Sequence, residues 1–299
     1  MTAVSIVVPT RDRPASLERC LAALAGQLGL GSFEIVVFDD GSADGARVAD
    51  IVAAQPVAHL VRLEGAGPAA ARNAGVEAAA GQTVCFTDDD CEPEPGWAAR
   101  LAARLETGPD AVGGTNVNGH PGDPFVEASE LILRQLQAST GRRLRQRVFI
   151  PSNNLACRRS LALEHPFDER YPTAAAEDRA WCASLAAAGL TLALVPDAVV
   201  AHRPALGLRS FWRQHVRYGR GAFRFARSKP GAEWKEPLVF YLGLIGAGLS
   251  RGPICAALVL LAQLATGLGF AREALSNSAT RREPARGGAR PEVGTRRPR

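Results

Sequence analysis

Residues 82–97 read QTVCFTDDDCEPEPGW. A short β-rich run, 82–87, empties into three consecutive carboxylates, Asp88, Asp89 and Asp90. Acids at the exit of an apolar strand are a mark of open α/β sheets, whose ligands sit beyond the carboxyl ends of the strands. Three adjacent like charges repel and call for a cation. A hard divalent ion, held by one or two carboxylates and by substrate phosphates, is one solution. A solvated acidic turn capping a helix near Trp97 is the plainer one.

The chain upstream has the matching rhythm. Strand-like runs at 4–9 (VSIVVP), 33–38 (FEIVVF) and 57–63 alternate with helical stretches at 14–28, 44–54 and 68–80, the last ended by Gly81. Pro14 suits a first turn, and Leu17, Leu21, Leu24 and Leu28 recur on one helical face. This alternation predicts a parallel, doubly wound sheet. The loops that matter are then 9–13, 39–45 and 88–96, where the polar residues gather. Downstream, 111–118 reads as a strand, 125–139 as a helix and 142–147 as a basic connection. Residues 148–157 (VFIPSNNLAC) read as a strand leading into a polar turn. Residues 176–188 read as a helix, and 190–201 as a strand with a turn at Pro196-Asp197. Residues 208–226 are basic and amphipathic, and Gly219 and Gly221 are expected to break them. From about 276 the chain is rich in Arg, Pro and Gly and is predicted to be disordered.

Composition sets limits. The 299 residues are 46% apolar and 22% charged, which excludes a disordered or collagen-like chain. The net charge of +5 is unevenly placed: 200–229 carries +8 and 281–299 carries +5, which leaves −8 on the rest. An acidic body with two basic patches points to local handling of phosphates or of a lipid surface, not to a nucleic-acid partner. The six cysteines form no CxxC pair and no zinc spacing, so buried thiols in a reducing compartment are expected. The first residues read as a strand and not as a signal peptide. Residues 238–249 and 254–271 are long apolar runs. The second reaches about 27 Å as a helix, the lower limit for spanning a bilayer. Spanning once would place the Arg-rich tail opposite the body, against the positive-inside tendency. A re-entrant hairpin, helices lying in the interface, or two packed helices all remain open.

Other motifs carry two readings each. FDDGSADG (38–45) is an Asx turn and helix cap, or a carboxylate that accepts from a nucleobase imide. GAGPAAARNAG (65–75) matches G-x-G-x-x-A, but Pro68 lacks an N–H where a pyrophosphate needs one. Arg72, one turn into that helix, is a surface arginine or a contact to a base or phosphate. Glu177-Asp178 suits the positive end of a helix, or does chemistry. His202 is structural or a metal ligand. In QHVRYGRGAF (214–223), Arg217 and Arg220 either neutralise a diphosphate or face an anionic membrane.

Together, SIVVPTRDRP, VVFDDGS, GPAAARNAG, FTDDDCEPEPGW and AAEDRAW, in that order, resemble the family 2 inverting glycosyltransferases. QHVRY resembles their QxxRW element, with Tyr218 in place of Trp. The resemblance covers roughly residues 3–225. It implies a GT-A-like α/β fold, a doubly wound mixed sheet with a C-terminal amphipathic and apolar helical extension. The chain is accordingly expected to divide into a transferase domain over 1–206, a membrane-associating region over 207–275, read from its basic and apolar runs, and a disordered tail over 276–299, read from its composition. The implied reaction moves a sugar from a nucleoside-diphosphate sugar to a hydroxyl acceptor, with a lipid-linked or cell-envelope glycan among the candidates, and uses Mg²⁺ or Mn²⁺. Thr10 and Asp40 would contact the base, Asp39 would support that loop, and Arg72 would sit beside the base. Asp88 would face ribose or sugar hydroxyls, and Asp90 and His202 would hold the metal; the sequence does not decide whether Asp89 or Asp90 is the closer ligand. Asn153 and Asn154 would frame the donor sugar and acceptor. Glu177 would accompany Asp178, the catalytic base. Gln214 and Arg217 would line the substrate site. The implied setting is the cytoplasm, at the inner face of the membrane. A sugar nucleotidyltransferase is the alternative. Such enzymes usually open with a Gly-rich loop after the first strand, and PTRDRP has no Gly. A dinucleotide oxidoreductase is disfavoured by Pro68, and a DxDxT phosphatase by Glu92 in the Thr position. A non-catalytic membrane adaptor leaves the acidic clusters unexplained.

Overall fold

Four parallel strands start the sheet: β1 (Val4–Thr10), β2 (Phe33–Asp39), β3 (Ala58–Arg62) and β4 (Thr83–Phe86). The short β5 (Cys91–Pro93), β6 (Ala111–Asn118), β7 (Leu155–Arg158) and β8 (Leu192–His202) extend it to eight strands in the order β3-β2-β1-β4-β7-β6-β8-β5. The helices are α1 (Pro14–Ala25), α2 (Gly45–Ala53), α3 (Pro68–Ala78), α4 (Trp97–Glu106), α5 (Pro124–Arg143), α6 (Arg159–Glu164), α7 (Glu177–Ala187), α8 (Leu208–Ser228), α9 (Leu238–Ser250) and α10 (Pro253–Thr280). These come from a computed structural model that describes residues 3–143, 149–171, 173, 175–228 and 236–280.

Strand residues alternate between faces, and both faces are covered. Ile6, Val8, Ile35 and Val37 pack with Leu17, Leu21 and Leu24 of α1, Val48 and Ile51 of α2, and Trp97 and Leu101 of α4. Val7, Val36, Phe38, Val84 and Phe86 pack on the other side with Ala71 and Val76 of α3 and Trp181 and Leu185 of α7. A third apolar cluster joins Ala128 of α5, Phe211 of α8, Phe240 and Leu244 of α9, and Leu258, Val259 and Ala262 of α10. All six cysteines are buried and free.

The purely parallel expectation holds only for the N-terminal half. β7 runs antiparallel to β4 and β6, and β5 antiparallel to β8, so the sheet is mixed. The strand expected over 148–157 is shorter and later. Pro151, without an N–H, is followed by a 3₁₀ turn at Ser152–Asn154, and pairing begins only at Leu155. Residue 148 lies outside the described residues, and so does most of the basic connection at 142–147. Pro196-Asp197 does not end its strand. β8 runs through it, and the register with β6 shifts between Gly113 and Thr115.

The expected break at Gly219 and Gly221 does not occur. α8 is continuous, and its glycines are contact points. A Cβ on Gly219 would lie 1.9 Å from the Thr266 carbonyl oxygen of α10, and one on Gly269 of α10 would lie 2.0 Å from the Val216 carbonyl oxygen of α8. A Cβ on Gly221 would lie 2.4 Å from the Ala175 oxygen. Glycine serves here as the residue that lets two backbones touch. α10 also reaches Thr280, past the expected onset of disorder at 276. Residues 281–299 lie outside the described residues.

Gly219→Ala should therefore lower stability by about 1–3 kcal/mol in denaturant unfolding, as overpacking does. Gly246→Ala, whose added Cβ meets nothing within 4 Å, should be neutral or stabilising.

Candidate active site

The carboxyl ends of β1, β2 and β4 bring the acidic loops together, and cations already sit among them. Arg72 lies one turn into α3, which starts at Pro68 after Gly67. It is 2% exposed, with one Nη 2.7 Å from Asp88 Oδ1 and the other 3.1 Å from Glu177 Oε1. It is neither a surface residue nor free to reach out. It is the counter-charge that joins the strand-β4 acids to the acids at the start of α7. The charges of Asp88, Glu177 and Asp178 outweigh the effect of burial and hold the guanidinium in its charged form.

The three adjacent aspartates separate by partner. Asp88 meets Arg72. Asp89, 3% exposed, accepts from the Thr10 hydroxyl at 2.8 Å and from Arg13 at 3.0 Å. Burial pushes its carboxyl up, Arg13 opposes this, and Asp90 adds to it. Thr10 is itself buried and faces Asp89. Asp90 accepts from Arg13 at 2.9 Å, and its Oδ1 lies 3.6 Å from His202 Nε2. Register explains the last contact: Cys91 pairs with His202 across β5 and β8. His202 Nδ1 is 2.8 Å from Glu130 of α5. Burial alone would lower the imidazole. The hydrogen bond to Glu130 and the charges of Asp90 and Glu130 reverse that, and push it up to about 9.

Asp39 and Asp40 organise the loop beside β2. Asp39, fully buried, accepts from the Ser42 N–H at 2.9 Å and pairs with Arg62 at 3.3 Å. Asp40 accepts from the amides of Ala66, at 2.6 Å, and Gly67, at 3.1 Å, and lies 3.8 Å from Arg11. Gly65 and Gly67 adopt φ of 71° and 88°, the left-handed values this loop needs. The glycines that resembled a dinucleotide fingerprint thus direct their loop's amides at a protein carboxylate.

At the other side, Glu177 is buried and accepts from the Ala175 N–H at 2.7 Å as well as from Arg72. Asp178 is half-buried and accepts from the amides of Arg179, at 2.7 Å, and Ser152, at 3.4 Å. Burial raises both carboxyls; Asp178 adds to the rise in Glu177, and Arg72 opposes it in both. Asn153 accepts from Asn116 Nδ2 at 2.8 Å. Asn154 is fully buried: its oxygen accepts from Trp97 Nε1 and the Gly114 N–H, and its amide donates to Asn116 and the Ala198 carbonyl. With every polar atom so engaged, Asn154 braces the floor of the cleft and has none left for a sugar.

α8 closes one side. Gln214 donates to Ser129 Oγ at 3.4 Å. Arg217 is half-buried, and its Nε is buried without a hydrogen-bond partner among the described residues. The phenol of Tyr218 is pushed up to about 12 by its crowded surroundings; Arg217 opposes this, and the charges of Asp178, Asp90 and Glu177 act with it. The ring is nonetheless 42% exposed, as expected of a cleft wall. Arg220 turns away and pairs with Glu273 of α10 at 2.7 Å, so the diphosphate-neutralising role expected of it is withdrawn.

Residues 5–165, more than half of the chain, match the family description "Glycosyl transferase family 2". The chain belongs to this family. The chain is 29% identical over 268 residues to the pre-mycofactocin glycosyltransferase of Mycobacterium tuberculosis, covering 83% of this chain and 54% of that protein. It is 32% identical over 145 residues to the undecaprenyl-phosphate 4-deoxy-4-formamido-L-arabinose transferase of Aeromonas hydrophila, covering 46% of this chain and 44% of that one. The chain thus spans about half the length of the curated relatives it matches. Its fold is that of the mannosyltransferase PcManGT of Pyrobaculum calidifontis, solved with GDP-Man and Mn²⁺ (TM-score 0.58, 22% identity, covering 93% of this chain and 79% of that one). The mixed sheet is accordingly a GT-A fold.

The residues of this family 2 chain fit a divalent cation. A carboxylate oxygen of Asp90, the sulfur of Cys91 and a ring nitrogen of His202 lie within 4.8 Å of one another. Burial pushes the Cys91 thiol far up, so it stays protonated, and a hard cation favours the carboxylate and imidazole. Sequence reasoning missed two residues here, Arg13 and Glu130. Arg13 stood in the quoted PTRDRP loop and was the nearer cation to three repelling acids. Glu130 gives no local signal, because it is 72 residues from the histidine it meets.

Arg72→Met removes the charge between two carboxylates. It should destabilise the protein by about 3–5 kcal/mol in denaturant unfolding. Adding Glu177→Gln should recover part of that loss, since the two side chains are directly coupled.

Proposed function

We propose that the chain is a metal-dependent, inverting glycosyltransferase that moves a sugar from a nucleoside-diphosphate sugar to a hydroxyl acceptor. The observation that carries this reading is the convergence of Asp88–Asp90, Glu177-Asp178 and His202 on one cleft, linked through Arg72 and Arg13. Residues 1–206 are read as the transferase domain and 207–275 as the membrane-directed region. The similarity to a mannosyltransferase solved with GDP-Man and Mn²⁺ supports a nucleotide-sugar donor and a divalent cation. A sugar nucleotidyltransferase is disfavoured by the PTRDRP loop, whose Arg13 turns to Asp89 and Asp90.

In this reading Asp40 and its loop, with Thr10 beneath, border the nucleotide, and Asp88 faces its ribose or sugar hydroxyls. Asp90 and His202 would hold Mn²⁺ or Mg²⁺, which when bound neutralises charge on the departing diphosphate. Arg217, with its unpartnered Nε, meets the same anion. Asp178 takes the proton of the acceptor hydroxyl, and burial suits it to the task by raising its proton affinity. The hydroxyl oxygen attacks the anomeric carbon from the face opposite the diphosphate, and this single displacement inverts the configuration. Glu177, tied to Arg72 and a backbone amide, is fixed and cannot do the same work.

The acceptor is read as membrane-proximal, and the setting as the cytoplasmic face of a membrane. Pro253–Asn277 is long and apolar enough to cross a bilayer, yet 39% of its apolar window is buried against the protein. Ile254, Leu260, Leu264 and Leu268 form an exposed stripe along it. Beside the stripe, Leu208, Arg209, Trp212, Arg213 and Leu261 line a shallow hollow. An apolar stripe edged by Arg and Trp suits a helix lying in the interface of an anionic bilayer. Similarity to an undecaprenyl-phosphate arabinose transferase supports a lipid-linked acceptor.

Asp178→Asn should lower transfer at least about 1,000-fold, on the scale of general-base catalysis, while Mn²⁺-dependent nucleotide binding by calorimetry stays near the wild-type value. Normal turnover by this variant would remove Asp178 from the mechanism. In vesicle co-sedimentation the protein should bind anionic vesicles more strongly than zwitterionic ones, and Leu264→Glu with Arg213→Glu should release it. Equal binding to both vesicle types would count against the interfacial reading.

A further inference from the structure

Glu130 lies on α5, outside every motif named above, and is 4% exposed. One of its oxygens is 2.8 Å from His202 Nδ1, while the other, Oε2, is buried with no hydrogen-bond partner among the described residues. A carboxylate placed in the interior with half its capacity unused costs stability unless it serves a neighbour. Here the neighbour is an imidazole whose other nitrogen, Nε2, faces Asp90 at 3.6 Å.

We propose that Glu130 is the positioning residue of the cation site. By accepting the Nδ1 proton it fixes the ring angle, so that Nε2, once its proton is displaced by a cation, points at the space shared with Asp90. This rests on the reading of Asp90 and His202 as the cation's ligands. Helix α5 gives Glu130 a further property. The residue before it, Ser129, meets Gln214 and lies 3.4 Å from His215 Nε2 of α8, and Ala128 is buried in the apolar cluster with α8, α9 and α10. Glu127 of the same helix pairs with Arg251, just past α9. The C-terminal helices, far from the acids in sequence, thereby set where the histidine points.

The test is Mn²⁺ titration of the full chain by electron paramagnetic resonance, with GDP or UDP present, for wild type, Glu130→Gln, His202→Ala and the double variant. Gln keeps the side-chain volume but not the charge. Its amide can donate to Nδ1 and so favours the wrong tautomer. Glu130→Gln should weaken Mn²⁺ binding about 10–100-fold, the usual effect of losing an outer partner of a ligand. His202→Ala should weaken it at least as much, and the double variant should be no weaker than His202→Ala alone. Two results overturn the proposal: Glu130→Gln binding Mn²⁺ as wild type does, or Glu130→Gln weakening binding further when His202 is already Ala. Saturable binding by wild type separates these outcomes from failure of the cation reading itself. Its absence with both nucleotides would remove both.

Discussion

Arg72 lies 2% exposed between Asp88 and Glu177, and the buried Glu177 could not keep its place in the interior without it. A lone ionised group in such surroundings would take up a proton or move toward water. The guanidinium is well matched to the position. It stays charged, and its separate nitrogens can serve two acids at once. The two acids belong to elements about ninety residues apart, the end of β4 and the start of α7, so one side chain fixes the distance across the cleft. Arg13 repeats the arrangement at the rim, where it is half-exposed and bridges Asp89 and Asp90. The site therefore has a buried inner cation and an exposed outer one.

Much of this was legible in the sequence, for identifiable reasons. The first two hundred residues follow strand and helix periods closely, and the loops after β1, β2 and β4 hold the polar residues. The acids of 88–90, the pair at 177–178 and His202 stand at ends of elements, where a doubly wound sheet gathers its functional groups. What sequence could not show was how side chains divide the work. Three adjacent aspartates look alike in print, yet Asp88, Asp89 and Asp90 face Arg72, Thr10 with Arg13, and His202. Asn153 and Asn154 look like a pair, but Asn154 is wholly engaged by Trp97, Gly114, Asn116 and Ala198. Gly219 and Gly221 read as helix breakers because local propensity ignores partners. Tertiary contact with α10 and Ala175 reverses their meaning.

The C-terminal helices are more than an appendage to the sheet. Their apolar cluster includes Ala128 and Phe211, and α8 carries Arg217 and Tyr218 to the cleft wall. The Arg220–Glu273 and Arg224–Glu273 pairs then fasten α8 to α10. Packing crosses residue 206, since Phe211 of α8 shares an apolar cluster with Ala128 of α5. The same helices offer an apolar stripe outward and hold the cleft inward. Seating that stripe on a surface would thus bear directly on the geometry of the site.

β5 is only three residues long, yet its pairing sets Cys91 opposite His202 and so brings Asp90 to the imidazole. Successive side chains on a strand point to opposite sides. A slip of one residue in β5 would turn Cys91 to the opposite face and carry Asp90 away from the imidazole, which the pairing of β8 with β6 holds in place. Spectroscopy of the backbone would scarcely notice such a molecule, but Asp90 and His202 would no longer face one another. If Asp90 and His202 hold the cation as proposed, its uptake would report how faithfully the last rung of the sheet was zipped.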